Sequence, residues 1–286
     1  MLTRFRDAAH RVTRRPALLA GLLLALLLVT AAIGAPWLAP HPPEKQHRDG
    51  LTAVGAPAPP GGHFRLGADS RGRDVFSRLL HGARLSLGIG LGATAIAIGL
   101  GLTVGVCAGY FGGWTETLLM RSTDVVLAFP SILLAVAMAA VTPRRSAFGM
   151  ALIIGLLGWA APARVFRGET LSLRERSYVE AALSMGAGKL RILLRHVVPH
   201  LGPSALVMAS LGAASAILLD AGLSFLGIGV PAPAPTWGSM LEEARTWYSL
   251  APWLAFWPGV LVVLTVAAFN LVAYDLQRTL RGERTG

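Results

Sequence analysis

Long apolar stretches separated by short polar or basic ones dominate the chain. Six runs, about 17–38, 85–111, 125–142, 147–163, 203–230 and 251–274, carry few charges. A helix needs roughly 17 to 25 apolar residues to cross the hydrocarbon layer of a bilayer, and the third and fourth runs sit near the short limit. Backbone groups in lipid must be paired within the segment, and the period-2 alternation of a barrel strand is missing. The pattern therefore predicts an all-α membrane protein with six transmembrane helices.

The polar segments between the runs set orientation. An even number of spans puts both termini on one side. With the N-terminus inside, sixteen Lys and Arg fall on inner segments, among them Arg164, Arg167, Arg174, Arg176, Lys189, Arg191 and Arg195, against ten on outer ones. Positive residues favour the cytoplasmic side, so both termini are expected in the cytoplasm. The first run also resembles a secretory signal, with Arg14-Arg15 before it and small residues from Ala31 to Ala35. Its apolar stretch exceeds a signal core of about 7 to 15 residues, which favours an uncleaved first helix.

Several shorter patterns refine this layout. Residues 36–66 are rich in Pro and Gly and are expected to form an exposed loop with little regular structure. Gly101, Gly105 and Gly109 recur every four residues in the second run, a face that lets another helix backbone approach closely. Trp237, Trp247, Trp253 and Trp257 gather near the last outer loop, where indole rings favour the headgroup region.

Composition agrees with a polytopic protein: 286 residues, 53% hydrophobic and 14% charged, with mean hydropathy +0.57. The net charge of +11 is dispersed between apolar runs and forms no basic stripe with interleaved aromatics, so nucleic acid is not an expected partner. The lone Cys107 lies in an apolar run, reads as a small hydrophobe and excludes an intrachain disulfide.

Candidate chemistry narrows quickly. Gly186-Ala187-Gly188-Lys189 lacks the first glycine and the closing Ser or Thr of a phosphate loop, having Leu183 and Leu190 there. His196 and His200 stand four apart, but Pro199 is expected to break the helix that would put them on one face. Gly222-Leu223-Ser224-Phe225-Leu226 lacks the closing glycine of a nucleophile elbow. No catalytic, metal or cofactor site is expected.

Asp220 is the one carboxylate well inside a predicted span. An intramembrane acid is a candidate for a translocation path; a structural carboxylate facing a wet cleft is the alternative.

The loop between the fourth and fifth runs is the most informative segment. Ser177-Tyr178-Val179-Glu180 fits a capping box, and Ala181-Ala182-Leu183 continues with helix formers. A short helix is expected from about 178 to Gly186. A glycine turn follows, then a second short helix from Lys189 to Val197 that Pro199 ends. Such a compact basic knob suits docking into a groove of a cytoplasmic partner; a helix meeting only lipid headgroups is the plainer reading.

At these residues the chain resembles the membrane subunits of ABC importers, whose loop signature is E-A-A-x-x-x-G followed after nine residues by I-x-L-P. Glu180, Ala181, Ala182, Gly186 and Pro199 match, while His196 and Val198 replace the Ile and Leu. Arg195-His196 with Pro199 is similar to the dipeptide, oligopeptide and nickel branch. So are the stretch from Leu66 to Arg78, with Ala68 in place of a threonine, the stretch from Asp220 to Gly227, and Pro235-Thr236-Trp237-Gly238.

The resemblance implies a type I importer permease in the bacterial inner membrane. Its layout would be a cytoplasmic tail over 1–16, a first helix over 17–38, an extracytoplasmic loop over 39–84, a permease core over 85–274 with a coupling loop at 164–202, and a tail over 275–286. Glu180, Ala181, Ala182, Gly186, Arg195 and Pro199 would couple to two ATPase subunits that bind ATP and Mg. A second permease, making a heterodimer, and an extracytoplasmic substrate-binding protein would complete the assembly. Di- or oligopeptides are the expected substrate, with nickel or glutathione as alternatives. An ion-coupled secondary transporter would want several buried ionisable groups, and a membrane enzyme a convergent set of them.

Overall fold

The computed structural model describes residues 16–142 and 146–280. Among them no strand occurs, and the chain runs through twelve α-helices. They are α1 (Pro16–Ile33), α2 (Ala35–Leu38), α3 (Val75–Phe111), α4 (Gly113–Ala128), α5 (Ser131–Ala140) and α6 (Ala147–Gly158). There follow α7 (Ala160–Arg174), α8 (Ser177–Ser184), α9 (Lys189–Ile192), α10 (Val198–Phe225), α11 (Trp237–Trp247) and α12 (Trp253–Leu280). Of the basic residues expected at the termini, Arg278 lies in the last turn of α12; Arg4, Arg6, Arg11, Arg14, Arg15, Arg281 and Arg284, like Arg144 and Arg145, lie outside the described residues.

Four segments are long and apolar enough to cross a membrane by length and composition, and two bent pairs raise this to six when each counts as one span. The third run is therefore not a straight spanning helix. It is split between α4 and α5, which meet at 88°. Pro130 supplies the cause: its ring excludes the helical conformation for the preceding residue, and Phe129 is extended (φ −97°, ψ 140°). At about 1.5 Å per residue, α5 alone is too short to cross. The milder 46° bend between α6 and α7 falls where Pro162 has no N–H to give the carbonyl of Gly158.

Helix α3 is the axis of the bundle, packed along α6, α7, α10 and α1. Its apolar run begins at 85, yet the helix starts at Val75 because Asp74 caps it: Oδ2 accepts from the Ser77 amide at 2.9 Å and the Ser77 hydroxyl at 2.6 Å. The glycine face meets α7 as its spacing predicts. A Cβ at Gly101 would lie 2.8 Å from Pro162, at Gly105 2.5 Å from the Ala163 carbonyl, and at Gly109 2.8 Å from the Arg167 carbonyl. No larger residue fits without moving backbone. Helix α1 packs on α12 in the same manner, with Gly21 against the Ala268 carbonyl.

The segment before α3 is more ordered than its Pro and Gly content suggests. A single 3-10 turn at Arg48–Gly50 and four isolated bridges, among them Gln46 with Arg73 and Ala68 with Asp74, fold it on itself. Phe64 and Ala68 are buried. His41 and His47 meet edge to face at 4.6 Å, and His47 rests on Phe64 at 5.6 Å. Burial, and then neighbouring His41, push the His47 imidazole below its ordinary value.

Buried charges bind this segment to the far end of the chain. Asp69 Oδ2 accepts from Arg73 Nε at 2.6 Å and lies 3.1 Å from Arg78 Nε. Glu243 on α11 lies 3.1 Å from Arg73 Nη2 and 3.6 Å from Arg78 Nη2, and accepts from the amide and hydroxyl of Ser70. Two tryptophans reinforce the junction. Trp237 is 0% exposed and donates through Nε1 to the Leu79 carbonyl, and Trp253 Nε1 donates to the Ala68 carbonyl. Trp237 is thus a core residue and not the headgroup anchor its neighbourhood implied, because its N–H finds a carbonyl inside the fold.

Candidate functional site

The knob lies at the opposite end of α3 from this junction. Helix α8 buries Val179 and Ala182 against Ile192, Leu193, Val197 and Leu201, and this small core rests on Val106 of α3 and Phe166 of α7. The other face of α8 stays in the open. Glu180, Ala181 and Gly186 are exposed, as are Arg195 and Pro199, whereas Ala182 is buried. The small residues of the motif therefore divide: Ala182 lets α8 sit close to the bundle, and Ala181 keeps the outward face flat.

Three local expectations change. Ser177 does not cap α8; it is the first helical residue, and extended Arg176 precedes it without a side-chain cap. The turn after α7 takes two residues, Glu175 and Arg176, and Arg176 occupies the cap position, which puts Ser177 inside the first turn. Pro199 does not end a helix. From Lys189 to Phe225 the chain is one continuous helical span that passes through a π segment at Leu193–Val197. The Val198 amide donates back to the Leu193 carbonyl, and this wider turn absorbs the amide that Pro199 lacks.

Because the helix continues, His196 and His200 do share a face. Both rings lie against Tyr178 of α8, at 6.3 Å tilted and 5.4 Å stacked. They serve as a platform for α8, and no group of three metal-ligating side chains occurs among the described residues.

Gly186 ends α8 with φ +78°, a left-handed conformation that side chains rarely adopt, while a Cβ there would meet nothing within 4 Å. Around it stand large apolar side chains that the motif did not single out: Met185 is 81% exposed, Leu190 and Leu194 are more than half exposed, and Leu183 is exposed too. Leu190 and Leu194 line an open groove with Arg191, Arg195 and Pro199. An amphipathic reading of α8 alone could not find them, since they come from both sides of the glycine turn. Exposed apolar side chains thus stand on both sides of the turn, with Arg191 and Arg195 beside them.

The basic helix α7 ties the knob to the bent span. Arg164 donates to Asp124 at 2.6 Å, Arg167 Nε to Glu116 at 2.7 Å, and Arg174 to the Gly109 carbonyl at 3.0 Å. Asp220 is not part of this site. It sits in the last turns of α10, 1% exposed, with Oδ1 unbonded and no cation in reach among the described residues.

Comparison with known proteins agrees with this geometry. Residues 101–281 match the family described as the inner membrane component of binding-protein-dependent transport systems, and residues 3–60 match the N-terminal transmembrane domain of oligopeptide transport permease C. The glutathione transport system permease protein GsiD of Pectobacterium atrosepticum is 39% identical over 278 residues, 97% of this chain and 91% of that protein. The di/tripeptide transport system permease protein DppC of Pseudomonas aeruginosa is 40% identical over 268 residues, 92% and 86% of the two chains. An inward-facing structure of the MetNI methionine ABC transporter shares the fold, with TM-score 0.56 and 17% identity over 73% of this chain and 97% of that one. A helical bundle with an exposed knob, matched along nearly its whole length, places this chain in the family of inner-membrane permease subunits of binding-protein-dependent ABC importers, transport components and not enzymes.

Proposed function

We propose that this permease carries short peptides, glutathione included, inward across the cytoplasmic membrane by alternating access. The single observation that carries the substrate class is near full-length identity of about two residues in five to permeases named for glutathione and for di/tripeptides. Those names favour peptides over nickel. An ion-coupled carrier has little support, because Asp220 is isolated from other buried ionisable groups of the spans.

The knob docks on a separate ATPase subunit, with Glu180, Ala181 and Gly186 outward, Arg195 and Pro199 on the groove, and Ala182 setting the approach of α8. ATP and Mg are held by two such ATPases. A second permease pairs with this chain, and a binding protein delivers substrate to the opposite side. The excess of Lys and Arg on the knob side supports termini in the cytoplasm. ATP drives transport only by favouring one conformer of the assembly over the other.

Gly186 gives the test. Gly186→Asn tolerates the left-handed turn, whereas Gly186→Trp adds bulk where the free chain has open space. Co-purification of the ATPases is expected to survive the first and fail with the second, with membrane insertion equal in both. Equal co-purification with Gly186→Trp overturns the docking role.

A further inference from the structure

A cavity of about 440 Å³ opens at the junction end, away from the knob, walled by residues 70–73, the start of α3, the 224–234 segment and α11. Its volume falls within the range of roughly 300 to 1,000 Å³ common to small-molecule sites. Of its charged lining residues, Arg73 and Arg78 are neutralised by Asp69 and Glu243. Arg71 and Glu242 remain. Both are exposed, both line the cavity, and neither forms an ion pair among the described residues.

Deeper in the wall, Arg78 is 3% exposed with Nη1 lacking a hydrogen-bond partner, and the buried Ser224 hydroxyl lacks one too. Buried polar groups are ordinarily satisfied. The cavity thus offers one spare cation and one spare anion at its mouth, with unsatisfied donors behind them. With Asp69 behind Arg73 and Arg78, the three arginines and two glutamates of the lining are balanced in charge, which suits a ligand that is itself neutral overall but carries separated charges.

The geometry points to this cavity as a binding site for a small zwitterion, the free termini of a short peptide, with Arg71 taking the carboxylate and Glu242 the ammonium. A concave site of this size takes the end of a small molecule, whereas protein partners meet over broad, flatter areas. The inference rests on the peptide-import reading for the direction of approach: substrate released by a binding protein would meet this cavity before the spans.

The test uses the full chain with its partner permease and ATPases in nanodiscs, without binding protein. Saturation-transfer NMR would measure affinity for Ala-Ala, N-acetyl-Ala-Ala and Ala-Ala amide. Blocking either terminus is expected to weaken binding about five-fold, the scale of one partly exposed ion pair. Arg71→Gln should weaken Ala-Ala but leave the amide unchanged; Glu242→Gln should weaken Ala-Ala but leave the N-acetyl peptide unchanged. Equal affinity for all three ligands, no detectable binding of Ala-Ala, or variants that ignore which terminus is blocked would overturn the site. Uptake of Ala-Ala and glutathione by the complete importer in proteoliposomes is read separately, so failure of the transport reading is distinguishable from failure of this site.

Discussion

The two ends of this bundle solve opposite problems. At the junction end, charged side chains are buried and matched to one another: Asp69, Arg73, Arg78 and Glu243 join the segment before α3 to α11, and Trp237 and Trp253 add hydrogen bonds across the same seam. At the knob end, apolar side chains are exposed and unmatched, with Met185, Leu190 and Leu194 in the open. One end turns charge inward and pairs most of it; the other turns apolar side chains outward. The contrast separates residues that hold the subunit together from residues that its own fold leaves uncovered.

The largest expected effect breaks the first end. Glu243→Ala removes the carboxylate shared by two buried arginines, and loss of one partner from a buried ionic cluster costs about 3–5 kcal/mol. Thermal unfolding of the purified subunit should show it plainly. Next comes the axis between the ends: Gly105→Ala sets a methyl group against the Ala163 carbonyl and the Phe166 side chain, and overpacking of this kind costs about 1–3 kcal/mol, read in the same assay.

Substitutions at the knob should invert this pattern. Met185→Ser with Leu190→Ser is expected to leave subunit stability within about 0.5 kcal/mol, since exposed positions carry little folding energy. Transport-coupled ATP hydrolysis in the reconstituted assembly should fall; stability loss comparable to Glu243→Ala would erase the comparison.

The smallest effect is a pH dependence. His47 has a folded value below its ordinary 6.5, so the unfolded chain binds the proton more readily. Its contribution is complete above about pH 6.5 and is lost as pH falls from there through the lower folded value. Unfolding followed from about pH 7.5 to pH 5 should show a slope that His47→Gln reduces.

Much of this was legible from spacing. The glycines every four residues announced a helix contact and found α7, and the polar segment between two apolar runs announced the knob. What spacing could not supply was pairing between distant segments. Arg73 and Glu243 are far apart in sequence, and nothing local marks either as buried; the Pro and Gly around residues 36–66 argued for a loose loop because their tertiary partners were invisible. Proline misled in two ways. Pro130 split a run that looked continuous, while Pro199 was absorbed by a π turn and did not stop the helix it was expected to end. The same residue breaks or bends a helix according to whether its neighbours can widen the turn.

That widened turn sits within one long helix. From Lys189 to Phe225 the chain is a single shaft of about 55 Å at 1.5 Å per residue, with the exposed groove at one tip and Asp220 and Ser224 near the other. The π segment at Leu193–Val197 interrupts that shaft beside the groove: its hydrogen-bond register is one residue wider than the α turns on either side, so the side chains beyond it are set round the axis relative to those of an unbroken α-helix.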